Sequence, residues 1–151
     1  MNDSNSLYQD AIKQFAQAAH GHGHLAEASG DAKLDNPLCG DRVRVQVDVA
    51  SGRIMAVAHE TKGCLLCRAA ASAIGARAVG QDEAGIEAVA DSLESMLKNG
   101  APAPAGWPEL SMFEPARNFP SRHRCVLLPF RALLAALAEC RRSRHGDISA
   151  S

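Results

Sequence analysis

The residues best equipped for chemistry lie in Gly63-Cys64-Leu65-Leu66-Cys67-Arg68, which runs on into Ala69-Ala70-Ala71-Ser72-Ala73. A strand pattern leads into Gly63 and a small-residue helix pattern leads out of it. Cys64 therefore falls at a helix N-terminus, where free N–H groups and the positive end of the dipole favour thiolate over thiol. A thiolate so placed is a metal ligand, a nucleophile or both. Cys39, Asp41 and Cys125 complete a set of three soft ligands and one hard one. Tetrahedral zinc accepts that mixture, and so does an iron–sulfur cluster. A carboxylate among thiolates is a weaker, more exchangeable ligand, which suits a site built to release something.

Cys64 and Cys67 also form a Cys-x-x-Cys pair at a helix start. A thioredoxin-like redox reading needs a parallel sheet around the pair, and no such pattern surrounds it. Cys67 reads as a small buried hydrophobe one helical turn in, with a role as auxiliary ligand left open. Cys140 reads as a packed or surface thiol.

The positioning elements follow from pattern. Val43, Val45, Val47 and Val49 alternate with Arg42, Arg44, Gln46 and Asp48, a period-two strand with one buried face. Ala50-Ser51-Gly52-Arg53 reads as a hairpin turn, and 54–61 as the returning antiparallel strand. This hairpin, 42–49 with 54–61, brings Cys39-Gly40-Asp41 and Gly63-Cys64 to the same end. His59, on the second strand, reads as a packed or hydrogen-bonded residue. Helices are expected over 6–19, with Ser6 as cap, over 65–79, and from Gln81 to Gly100. Gly75 inside the second marks a close contact. His20-Gly21-His22-Gly23-His24 has the composition of a metal-binding tract, but its glycines favour a solvated, loosened linker. Residues 25–36 carry little signal beyond the turn at Asn36-Pro37. A proline-rich excursion over 101–120 carries Trp107, Leu110, Met112 and Phe113 to bury. Cys125 then repeats the placement of Cys64 before a helix over 126–137, with Pro129 in its first turn.

With 151 residues and a net charge of -1, the chain fits one domain and shows no global nucleic-acid signal. No apolar run spans a membrane and no signal peptide opens the chain, so a cytoplasmic protein is expected. Five scattered cysteines point to metal or sulfur chemistry more than to disulfides. The last quarter is basic, which reads as either a solvated face or a docking patch for an acidic partner, with Arg122 and Arg124 the candidate partner-binding residues. The expected domain spans 1–142, with an insert at about 98–117 and a flexible tail over 143–151.

Asn36-Pro-x-Cys39-Gly40-Asp41, the valine-rich hairpin, Gly63-Cys64 with a small-residue helix holding Ser72, Gly80 and Arg122-x-x-Cys125 together resemble the U-type iron–sulfur cluster assembly scaffolds, the IscU, SufU and NifU N-terminal proteins. The resemblance covers about residues 6–140. It implies an α+β fold: a small antiparallel sheet, with room for a third strand, packed against several helices. It implies zinc or a [2Fe–2S] cluster held by Cys39, Asp41, Cys64 and Cys125. The partners it implies are a cysteine desulfurase and recipient apo iron–sulfur proteins, with no nucleic acid and no membrane. Cys125, in IscU-like action, or Cys39, in SufU-like action, is the implied sulfur acceptor, of a non-enzymatic scaffold or of a sulfurtransferase. The insert and Arg124 resemble the SufU branch, in which zinc-dependent sulfur transfer replaces scaffolding. Two other readings stand beside it: a structural zinc module, and a thiol oxidoreductase using Cys64 and Cys67.

Overall fold

The alternating valines do what their spacing requires. In strand β2 (Asp41–Ala50), Val43, Val45 and Val47 are fully buried, while Arg42 and Arg44 face outward. The computed structural model describes residues 10–38 and 40–150, with side chains as far as Arg142. Ser51 and Gly52, with φ of 55° and 75°, turn the chain into β3 (Arg53–Lys62). Positive φ at both central residues is the geometry that matches the twist of a hairpin. β2 and β3 pair antiparallel, with Arg42 opposite Lys62, so Asp41 and Gly63 meet at one end.

A third strand, β1 (Gly30–Asn36), pairs antiparallel with β2 and completes the order β1-β2-β3. Its sequence, GDAKLDN, holds one large apolar residue. It forms because its neighbours make it: Arg42 and Arg44 on β2 bond Asp35 and Asp31 across the open face at 2.8 and 2.6 Å. Its other face packs on a long helix. Gly30 lies so close to that helix that a Cβ there would collide with the Ala136 carbonyl.

Among the described residues four α-helices and two 3₁₀ segments surround the sheet, two of the helices packing on it directly. Helix α1 (Asp10–Ala18) buries Ile12 and Ala16; the earlier residues of the expected 6–19 helix lie outside the described residues. Helix α2 (Leu65–Arg77) is central, with Leu66, Cys67, Ala69 to Ala73 and Ile74 all buried. A helix apolar all round must be surrounded, and its small side chains let the neighbours close in. Helix α3 (Glu83–Asn99) is capped by the Asp82 carboxylate, which accepts from Gly85 N–H at 2.7 Å, and ends at Gly100 in the left-handed region. Its buried stripe is Ile86, Val89, Leu93, Met96 and Leu97. The proline-rich stretch is an ordered excursion of 3₁₀ turns, Pro108–Asn118 and Pro120–Arg122, anchored by buried Trp107, Leu110, Met112 and Phe113.

The last helix, α4 (His123–Ala150), packs on β1, β2 and α2. It begins three residues before the expected position, because the turn Pro120–Arg122 feeds into it. Pro129 is therefore not in its first turn but inside the helix, where it cannot donate to the Cys125 carbonyl. Among the described residues no helix is long and apolar enough to cross a membrane.

The histidine tract is not the loosened linker its glycines suggest. His59 N–H donates to the Gly21 carbonyl, and Gly23 N–H donates to the His59 carbonyl, both at 2.9 Å. The segment lies along the free edge of β3. Gly21 makes this possible through its φ of 79° and its contact with Gly75 on α2, where a Cβ on either residue would meet backbone. His59 is buried and packed, as expected. Its Nε2 donates to the His20 carbonyl at 2.8 Å, and its Nδ1 pairs with Thr61 Oγ1 at 3.0 Å.

Candidate metal centre

Asp41, Cys64 and Cys125 come from the start of β2, the residue before α2 and the first turn of α4. One Asp41 oxygen and the two sulfurs all lie within 4.8 Å of one another. Among the described residues no other such set of histidine, cysteine or carboxylate side chains occurs, so the histidines of 20–24 do not converge on a site of their own.

Cys64 has extended backbone at the N-cap position of α2, and its own N–H donates to Asp41 Oδ1 at 3.0 Å. The carboxylate thus ties the hairpin end to the helix start. Gly63 is what allows it: a Cβ at Gly63 would overlap the Asp41 carboxylate. The second oxygen, Oδ2, is 4.0 Å from Cys64 Sγ.

The thiol of Cys64 is strongly acidified. A hydrogen bond from Cys125 is the largest cause, and the backbone N–H groups of Cys67 and Leu66 add to it. Burial and the Asp41 charge oppose the shift, and the net result is a pKa lowered to about 6. The balance favours the thiolate form of Cys64, with Cys125 as its hydrogen-bonding neighbour. These backbone donors are the open N–H groups of the α2 start.

Burial orders the group. Cys125 and Asp41 are enclosed, at 0% and 1% exposure, and Cys64 is half-buried. Cys67 is fully enclosed in the core; it offers its N–H to Cys64, and its side chain is not part of the converging set. Cys140 is buried against Gly30. Cys39 lies outside the described residues; Pro37, Leu38 and Gly40 on either side of it are exposed. Arg124 is exposed and Arg122 half-buried. Arg124 lines a groove of about 560 Å³ with Lys98, Arg117 and Arg131, opposed there by Glu94.

The residues fit a soft cation. Ligands around tetrahedral zinc stand about 3.8 Å apart, given Zn–S bonds of about 2.3 Å. The three described donors need to close by no more than about 1 Å to reach that. An acidified thiolate among them lowers the cost of metal binding, because one proton has already left. Two residues here were not singled out from sequence for the roles they take. Gly63 makes room for the carboxylate, a need signalled only by glycine between a strand and a helix-start cysteine. Asn36, read as turn chemistry, is buried directly opposite Asp41.

Residues 7–103 match the family model described as the NifU-like N terminal domain. The chain is 26% identical over 142 residues to the iron–sulfur cluster assembly scaffold protein IscU of Streptococcus pyogenes serotype M1, covering 93% of this chain and 89% of that one. It is 24% identical over 136 residues to the protein of the same name in Thermotoga maritima, covering 90% and 96%. Among solved structures, the N-terminal part of a nitrogen-fixing NifU-like protein from Brucella abortus superposes with a TM-score of 0.89 at 30% identity, over 93% of this chain and 99% of that one. FiSufU of Fervidobacterium islandicum AW-1 shares the fold, with a TM-score of 0.79 at 24% identity over 89% and 98%.

Proposed function

Because this chain belongs to the NifU-like N-terminal domain family, we propose that it is an iron–sulfur cluster assembly protein that takes sulfur from a cysteine desulfurase and passes clusters to apo-proteins. The observation that carries this reading is the convergence of Asp41, Cys64 and Cys125 within 4.8 Å at two helix starts. Cys39 is the fourth ligand of the proposed set. Zinc, when bound, holds the thiolates in place; the [2Fe–2S] cluster is cargo built on the same side chains.

Sulfur arrives as the terminal atom of a persulfide on the desulfurase. A thiolate of this chain attacks that atom, a new S–S bond forms, and the partner's S–S bond breaks to leave a thiolate. No net electrons are transferred. The sequence offers Cys39 and Cys125 as acceptors. Cys125 is fully buried, whereas the loop around Cys39 is exposed at Pro37, Leu38 and Gly40. We therefore assign first acceptance to Cys39, and ion holding to Asp41, Cys64 and Cys125. We assign docking of an acidic partner to Arg122 and Arg124, supported by the cationic groove that Arg124 lines with Lys98, Arg117 and Arg131. The cytoplasm, where desulfurases and thiols coexist, is the proposed location.

Desulfurase stimulation tests this reading, together with zinc and iron measured on protein purified without air. Cys39→Ser is expected to abolish stimulation while retaining part of the metal, and Cys125→Ser to lose the metal. If both variants stimulate as the parent does, the sulfur-acceptor role is wrong.

A further inference from the structure

Asn36 is 5% exposed, yet its Nδ2 has no hydrogen-bond partner. A buried amide donor left unpaired costs about 1–3 kcal/mol, so a fold that keeps one has a use for it or fills it with something. The orientation of the amide is fixed. Asn36 Oδ1 accepts from Leu38 N–H at 3.3 Å, and a flipped amide would set two donors against each other.

Its place in the fold is equally specific. Asn36 is the last residue of β1 and stands opposite Asp41 on β2, so both side chains project from the core face of the sheet. Gly40 N–H donates to the Asn36 carbonyl at 2.8 Å, closing the loop that carries Cys39. The unpaired N–H therefore belongs to a residue beside one proposed ligand and at the base of the loop bearing another.

The charge of the loaded centre calls for such a donor. Three thiolates and a carboxylate around a divalent ion leave two negative charges in excess, in a site whose Asp41 and Cys125 are enclosed. Sulfur carries most of that charge, and N–H donors aimed at sulfur are a principal means of tuning such centres. The Cys64 N–H is already given to Asp41.

We propose that Asn36 is a fifth residue of the centre, its side-chain amide donating an N–H to a sulfur atom held there. This rests on the metal-centre reading above. The acceptor is a bound thiolate or an inorganic sulfide; a water in the same place is the outcome that opposes it.

The test uses the full chain as parent, Asn36→Asp and Asn36→Ala. The aspartate keeps the acceptor for Leu38 N–H and removes the donor; the alanine removes both. Zinc affinity is measured by competition with a chromophoric chelator, cobalt(II) spectra report the metal–thiolate bond, and the melting of the metal-free proteins is followed by circular dichroism. Both variants are expected to bind zinc about 10- to 100-fold more weakly. Their cobalt–thiolate charge-transfer bands are expected to move to lower energy, because an undonated thiolate gives up electron density more readily. A purely structural amide would lower the metal-free melting temperature and leave affinity and band position at parental values. Parental affinity in Asn36→Asp with loss in Asn36→Ala assigns the residue to the loop turn alone and overturns the proposal. Parental values in both do the same, and assign the amide to water. If Asn36→Asp does not fold, affinity and band position in Asn36→Ala decide together. A parent that binds neither metal overturns the metal-centre reading itself, which separates the two failures.

Discussion

At the scale of residues, the chemistry turns on which groups hold protons. Cys64 is acidified first by the Cys125 donor and opposed by the Asp41 charge. Substitutions at these two neighbours should therefore move it in opposite directions. In metal-free protein, alkylation of Cys64 followed against pH should show a midpoint near 6. Cys125→Ala should raise that midpoint, since the leading cause of acidity is gone. Asp41→Asn should lower it, since a repelling charge is removed while an oxygen remains for the Cys64 N–H. Movement of both variants in the same direction would contradict the assignment. Asp41→Ala tests the carboxylate as an exchangeable ligand. Cluster release to an apo-protein, followed by visible absorbance, should slow, because the oxygen ligand that dissociates first is missing. Faster release than in the parent would refute it. At this scale residue type and the hairpin register made the meeting of Asp41, Cys64 and Cys125 legible in the sequence, while Cys39 lies outside the described residues. What residue type does not carry is burial, so the enclosure of Cys125 and the unpaired amide of Asn36 had to come from the fold.

At the scale of elements, two close approaches hold the site in shape. The first joins the hairpin to α2, where Gly63 leaves room for the Asp41 carboxylate. Gly63→Ala should force that carboxylate away from the Cys64 N–H, at a cost of about 1–3 kcal/mol in metal-free stability and a larger loss of metal binding. Chemical denaturation and zinc competition measure the two effects, and wild-type values for both would show that the approach is not needed. The second close approach holds the 20–23 segment between β3 and α2 through His59. Burial is the main reason that His59 is less basic than a free histidine, outweighing the His20 carbonyl bond that favours its protonation. The unfolded chain therefore takes up the proton first. The stability His59 contributes is present above its unfolded pKa of about 6.5 and is lost as pH falls through its lower folded value. The melting temperature should fall between about pH 7 and about pH 5, and His59→Gln should flatten that fall. An unchanged slope would remove His59 from the account. Strong periodicity made β2, β3 and α3 readable in advance. β1 was not readable, because a strand of Gly, Asp, Ala, Lys, Leu, Asp and Asn is specified by its partners: the β2 arginines and the α4 backbone. The histidine segment failed for a related reason, since glycines that free a chain in isolation are also what permit close docking. The early start of α4 was hidden in the proline turn before it.

For the whole molecule, three segments distant in sequence meet at one point: the start of β2, the residue before α2 and the start of α4. A metal held by ligands from all three links the sheet, the central helix and the crossing helix, and it binds a geometry that the unfolded chain lacks. Binding free energy then becomes folding free energy, amounting to about 2.7 kcal/mol when free metal is one hundred times its dissociation constant. Trp107 is placed to report this. It is the sole tryptophan, 2% exposed, with its ring centroid 5.8 Å from that of Phe130 on α4, so its fluorescence follows the contact between the insert and the helix that carries Cys125. Zinc-loaded protein should melt several degrees above protein stripped by a chelator, with the Trp107 and far-ultraviolet transitions coinciding in both. Cys125→Ser should melt at the stripped temperature whether or not zinc is present, because the link to α4 is then missing. Equal melting of loaded and stripped parent would mean that the three segments meet without being joined through a metal. A zinc-dependent rise retained in Cys125→Ser would mean that the ion is held without α4.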